Sequence, residues 1–143
     1  MDPLAINPQA KSKKILIVED EKPIAELYQL VISKAGFQVK IAPDGATGLQ
    51  VLEAESFDML LLDIMLPGIN GLELLRQFKS KHPDSQMIVL LLTNLGQDAV
   101  IKEAFELGAT GYLIKASLTP NQVLTEVNNA FAGKQSESWV KPV

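Results

Sequence analysis

Asp63 closes the apolar run Met59-Leu60-Leu61-Leu62, and the acidic pair Glu19-Asp20 closes another, Ile15-Leu16-Ile17-Val18. Two later runs end in Thr93 and in Lys115. Unbroken aliphatic runs read as strands covered on both faces, as in a parallel sheet wrapped by helices. In such sheets the functional crevice lies at the carboxyl ends of the strands. If the strands of Asp63 and of Glu19-Asp20 are neighbours, three carboxylates crowd one pocket. Crowded carboxylates raise one another's pKa and are tolerated when a cation neutralises them, so the cluster asks for a hard metal with oxygen ligands, magnesium first. Acids, a hydroxyl and a lysine suit phosphoryl transfer, which needs charge neutralisation and alignment more than covalent machinery. A carboxylate can itself be the nucleophile and form an aspartyl phosphate. Asp63 stands alone after a fully apolar strand and is the better nucleophile candidate, whereas Glu19 and Asp20 come paired, as metal ligands often do. Lys115 would neutralise a phosphoryl oxygen as a point charge, and the Thr93 hydroxyl could donate to another.

The elements that must deliver these ends alternate along the chain. A strand near Lys14 to Val18 leads through Glu19-Asp20-Glu21 into a helix opened by Pro23, running to about Ala35 and closed by Gly36. Phe37 to Ala42 reads as a second strand, Asp44 to about Ala54 as a helix, and Asp58 to Leu62 as the strand ending at Asp63. A turn rich in Pro67, Gly68, Asn70 and Gly71 follows, then Leu72, Leu75 and Phe78 at helical spacing, then a break at Pro83-Asp84 before the strand Met87 to Leu92. A helix from about Gln97 to Leu107 turns Val100, Ile101, Ala104 and Leu107 to one face; Tyr112 to Ile114 makes the fifth strand. The last helix starts at about Pro120, capped by Thr119, and reaches Ala132 with Val123, Leu124, Val127 and Phe131 inward. Strands alternating with helices imply right-handed crossovers and an α/β, doubly wound parallel sheet. Residues 1–13 read as a flexible extension, 14–133 as the domain and 134–143 as a tail of low order containing Trp139.

Composition narrows the function classes. A chain of 143 residues with 47% hydrophobic content suits one domain with a real core. Its net charge is −4 and its basic residues are scattered, so direct nucleic-acid binding is not expected. The absence of cysteine excludes disulfides, thiolate metal sites and a cysteine nucleophile. No apolar stretch approaches membrane-spanning length and no signal-peptide core is present, so a cytoplasmic location is the default expectation.

The motifs Ile17-Val18-Glu19-Asp20-Glu21, Leu62-Asp63-Ile64-Met65-Leu66-Pro67-Gly68 with Gly71 following, Leu92-Thr93 and Gly111-Tyr112-Leu113-Ile114-Lys115 stand in order, each at a strand end. In these the chain strongly resembles the receiver domain of response regulators in two-component signalling, over roughly Lys14 to Gly133. The resemblance implies the flavodoxin-like strand order 2-1-3-4-5, which would set the first strand beside the third and unite Asp20 with Asp63. It further implies phosphorylation of Asp63 by a histidine kinase or histidine phosphotransfer protein. The magnesium ion, for which manganese could substitute, would be held by Glu19, Asp20, Asp63 and the backbone carbonyl of Met65. On the same grounds the domain catalyses only its own phosphorylation and slow reversal, and is not otherwise an enzyme. Thr93 and Tyr112 match the family's switch pair, and the output surface for a downstream protein target would be the helix near Gln97, the Tyr112 strand and the final helix. A homodimer is left open.

Two positions depart from the family pattern: Asn94 follows Thr93 where a smaller residue is usual, and Ala116 follows Lys115 where many relatives have proline. The Lys115–Ala116 peptide is therefore expected to be trans, since a non-proline cis bond costs about 3–4 kcal/mol, with Lys115 still reaching Asp63. A haloacid-dehalogenase-like phosphatase would need a second aspartate two positions after the first, where Met65 stands. A flavodoxin-type carrier would have a hydroxyl- and glycine-rich phosphate loop where Glu19-Asp20 would repel phosphate, and a nucleotide-binding glycine loop is absent. The remaining rival is a protein-interaction module on the same fold that is not phosphorylated. Simpler roles also exist for single residues, since acids after strands often cap helices, and His82 before Pro83 reads as an exposed loop residue.

Overall fold

The computed structural model describes residues 13–94 and 98–134, Asp98 by its backbone alone. Among them, five strands alternate with five helices: β1 (Lys14–Val18), α1 (Lys22–Lys34), β2 (Gln38–Ala42), α2 (Gly45–Ala54), β3 (Met59–Asp63), α3 (Gly71–Lys81), β4 (Ile88–Thr93), α4 (Asp98–Glu106), β5 (Gly111–Ile114) and α5 (Pro120–Phe131). The sheet is parallel throughout, in the order β2-β1-β3-β4-β5. The order reverses between β1 and β3, so the crevice opens where Val18 pairs with Leu62 and the next residues are Glu19 and Asp63.

The aliphatic runs are two-sided because both faces of the sheet are covered. Ile15, Ile17, Met59, Leu61, Leu90, Leu92 and Leu113 face α1 and α5, packing on Tyr28, Ile32, Val123, Leu124 and Val127. Alternate residues Leu16, Val18, Leu60, Leu62, Val89 and Leu91 face the other way, onto Leu52, Leu74, Leu75, Phe78, Ile101 and Ala104. β2 is one edge of the sheet, and its Gln38 and Lys40 are exposed.

Local chemistry sets the ends of the elements. Asp44 caps α2 by accepting from the Thr47 N–H at 2.7 Å, and Asn70 caps α3 by accepting from Glu73 at 2.9 Å. Thr119 and Gln122 form a reciprocal capping box at α5. Gly36 ends the turn after α1 at a φ of 110°, where a side chain would be strained.

The expected boundaries differ from these by a residue or two. Phe37 and Asp58 lie just outside their strands, the Asp58 N–H donating to the Lys14 carbonyl at 2.8 Å. Leu72 is only half-buried while Leu74 takes the inner position, and Phe131 is half-buried, stacked on Phe37 at 5.4 Å. A single 3-10 turn, Lys115–Ser117, follows β5 and was not anticipated. The expected helix start at Gln97 and the tail with Trp139 lie outside the described residues. Among the described residues no helix is long and apolar enough to cross a membrane.

Candidate functional site

β1 and β3 deliver their carboxylates side by side because their last residues pair in register. Carboxylate oxygens of Glu19, Asp20 and Asp63 lie within 4.8 Å of one another. Glu19 is 1% exposed and Asp63 3% exposed, while Asp20 faces solvent at the mouth. Lys115, brought in from the end of β5, donates to Glu19 Oε1 at 2.6 Å and to Asp63 Oδ2 at 3.1 Å. The Lys115–Ala116 bond is trans, as expected, and the 3-10 turn that follows carries the chain away while the lysine points inward.

The backbone orients the acids. The Glu21 N–H donates to Glu19 Oε2 at 3.2 Å, and the Met65 N–H donates to Asp63 Oδ1 at 3.0 Å. Neither Glu19 nor Asp20 caps α1: its cap position is Glu21, whose side chain makes no capping bond. Helix capping therefore does not account for the acidic pair.

Burial disfavours the charged form of Glu19 and pushes its pKa from 4.5 up to about 7, against the lowering effect of the Lys115 hydrogen bond and with a further raise from Asp63. For Lys115 burial works against the charge, but the hydrogen bond to Glu19 and the attraction of Asp63 outweigh it, and its pKa is raised. The pocket thus holds a proton-sensitive acid beside a firmly protonated lysine. Three carboxylates converging at the ends of two strands are the donor chemistry that a hard divalent cation takes.

Thr93 ends β4 and is 3% exposed. Tyr112 pairs with Leu91, so Thr93 and Tyr112 project from the same sheet face, one pleat apart on neighbouring strands. Tyr112 is half-buried, its ring edge-on to Phe105 of α4 at 6.4 Å.

Two residues near the pocket had no role in the sequence reading. Glu21 places Oε2 at 3.5 Å from the Lys115 ammonium, although the motif had named it. Tyr28 lies within electrostatic reach of Lys115, Glu19 and Asp63, with its pKa raised chiefly by burial. Its position with Ala25 and Ile32 on the buried face of α1 could have placed it under the sheet, but not beside the acids. His82, as expected, is exposed; it caps the end of α3 against the Phe78 ring.

The response regulator receiver domain family matches residues 15–128, and the chain belongs to that family. It is 40% identical over 102 residues to the transcriptional regulatory protein CusR of Escherichia coli (strain K12), covering 71% of this chain and 44% of that protein. Against the regulatory protein VanRc of Enterococcus gallinarum it is 37% identical over 116 residues, 81% of this chain and 48% of that one. The chain thus spans about half the length of these relatives or less. Among solved structures, the CheY-like response regulator receiver domain protein from Methanospirillum hungatei JF-1 superposes with a TM-score of 0.77 at 28% identity, over 85% of this chain and 94% of that one. The fold is the flavodoxin-like arrangement that the strand order describes.

Proposed function

We propose that residues 14–133 act as a phosphoaspartate-accepting receiver, with Asp63 as acceptor and a histidine kinase or histidine phosphotransfer protein as donor. The observation that carries this reading is the convergence of Glu19, Asp20, Asp63 and Lys115 at the carboxyl ends of β1, β3 and β5. Membership of the receiver family supports it, and nothing in the comparisons favours the rival module that is not phosphorylated.

In this mechanism an Asp63 carboxylate oxygen attacks the phosphorus of the donor. The O–P bond forms as the bond to the donor's imidazole nitrogen breaks, leaving an acyl phosphate and a neutralised imidazole. A bound magnesium or manganese ion, held by Glu19, Asp20, Asp63 and the Met65 carbonyl, would supply charge neutralisation for the carboxylates and the phosphoryl oxygens. Lys115 offers its ammonium to a further phosphoryl oxygen, giving up its hold on Asp63 Oδ2. The Met65 N–H holds Asp63 Oδ1, which leaves the other oxygen to react. Thr93 donates its hydroxyl to the phosphoryl group, and Tyr112 on the same sheet face moves into the space that Thr93 vacates.

The readout is a population shift between two packings of α4, β5 and α5, the surface offered to a downstream protein. CusR is named as a transcriptional regulatory protein, but the receiver's scattered basic residues make a direct nucleic-acid contact by this domain a poor fit. A cytoplasmic setting suits the reaction with a kinase, and a homodimer stays open.

The test is incubation with acetyl phosphate followed by intact-mass measurement. A phosphoryl mass increase that requires magnesium or manganese and disappears in Asp63→Asn is expected. Undiminished labelling of Asp63→Asn would overturn the assignment.

A further inference from the structure

The amino ends of the strands, opposite the acidic pocket, border a groove of about 770 Å³. Its apolar wall includes Phe57, Met87, Ile88 and Phe131, and its charged lining is Lys13, Lys81, Glu55, Asp58 and Asp84. Phe57 and Phe131 are half-buried, with the Lys14 and Lys13 ammonium groups over their rings at 5.0 and 5.8 Å. Such a volume with aromatic walls is the size of a site for a large side chain and its neighbours.

The chain leaves α5 beside this groove. Phe131 is the last helical residue, and the Gly133 N–H donates to Ala130 O at 3.1 Å while the Lys134 N–H donates to Asn129 O at 2.9 Å. With Gly133 at a φ of 72°, these bonds make a Schellman cap, which turns the backbone off the helix axis within three residues of the groove wall. From Lys134, an extended chain reaches Trp139 within about 17 Å. In an extended segment Glu137 and Lys141 share the side of Trp139, so an acid and a base flank the ring. The groove offers Lys13 and Lys81 for the one and Asp84 for the other, while its Glu55 is held by the Lys14 and Lys40 ammonium groups and its Asp58 by the Lys14 N–H.

We propose that segment 135–143 of this chain docks in this groove, with Trp139 seated among Phe57, Met87, Ile88 and Phe131. The segment then covers the apolar floor that the strand starts leave open, at the end of the sheet away from Asp63. Trp139 anchors because an indole combines a large apolar face with a polar edge.

Trp139 is the chain's one tryptophan, so its fluorescence reports the segment directly. In the full chain its emission should lie to the blue of that in the urea-unfolded protein, with collisional quenching by acrylamide several-fold weaker, and both should be unchanged on dilution. Trp139→Ser should shift the amide resonances of Phe57, Met87, Ile88 and Phe131. Solvent-like emission with full quenching would overturn the proposal, and so would protection that is lost on dilution, which would place the ring on a second copy. Amide shifts confined to the tail, or clustered on α1 or α4, would overturn it equally.

Discussion

Glu19 and Asp63 are buried side by side, with the Lys115 ammonium between them. Because the folded-state pKa of Glu19 is raised to about 7 from 4.5, the native state keeps a proton that the unfolded chain loses in that window. The sign follows: this residue's contribution to stability falls as pH rises from about 4.5 to about 7. Asp44 and Glu55 behave oppositely, since their lowered pKa values give stability that is lost as pH falls. Urea titrations of metal-free protein should therefore show the wild type losing roughly 1–3 kcal/mol relative to Glu19→Gln across that window. A constant difference would refute the account of Glu19. Magnesium affinity should rise with pH up to about 7 and then level, because the ion binds the ionised form. Lys115→Ala leaves two buried carboxylates facing each other, and should cost roughly 1–3 kcal/mol in metal-free buffer after allowance for the open mouth at Asp20. Added magnesium should recover part of that loss, as seen in the same titrations.

The element that most constrains the pocket is the connection from β3 to α3. A Cβ built on Gly71 would lie 2.3 Å from the Asp63 carbonyl oxygen, and one on Gly45 would lie 2.2 Å from the Ile69 carbonyl oxygen. Both glycines let backbone approach backbone, and the Gly71 N–H donates to Ile64 O at 3.0 Å. Gly71→Ala should therefore push the loop outward, cost about 1–3 kcal/mol and slow phosphate uptake at Asp63, checked by thermal unfolding and by the rate of mass increase. Wild-type stability and rate in that variant would contradict the close-approach argument. Elements of this kind were legible as far as their signals were local. β1 was read with its observed limits because an apolar run is bounded by polar residues at both ends. Capping at Thr119 was read from a side chain that accepts a backbone N–H, whereas Asp44 was read as the start of its helix and the structure makes it the cap. The order of strands was not carried by any run, since all of the runs look alike; it came from resemblance, and the pairing of β1 with β3 agrees. Glu21 and Tyr28 were missed because their relation to Lys115 spans the fold, through contacts that no sequence spacing encodes. The 3-10 turn was hidden by a lysine whose role was visible while its backbone was not.

On the scale of the whole molecule, the pocket lies at one end of the sheet, and the proposed readout runs through one side. Thr93 and Tyr112 share the sheet face that packs under α4, so occupancy at Asp63 has a short route to that helix. Arg76 of α3 pairs with both Glu73 and Glu103, tying α4 to its neighbour, and a shift of α4 must strain that link. A beryllofluoride complex should accordingly change amide shifts in α4, β5 and α5 more than in α1 and α2. Uniform changes would indicate a scaffold without a switch. The central claim, that Asp63 becomes an acyl phosphate, is met most directly by trapping. Borohydride reduces an aspartyl phosphate to homoserine, releasing phosphate and marking the residue for peptide mass analysis. The account predicts homoserine at position 63 after treatment with acetyl phosphate and magnesium, and none without the metal. An unreduced Asp63 under those conditions, or homoserine at another acidic position, would contradict it.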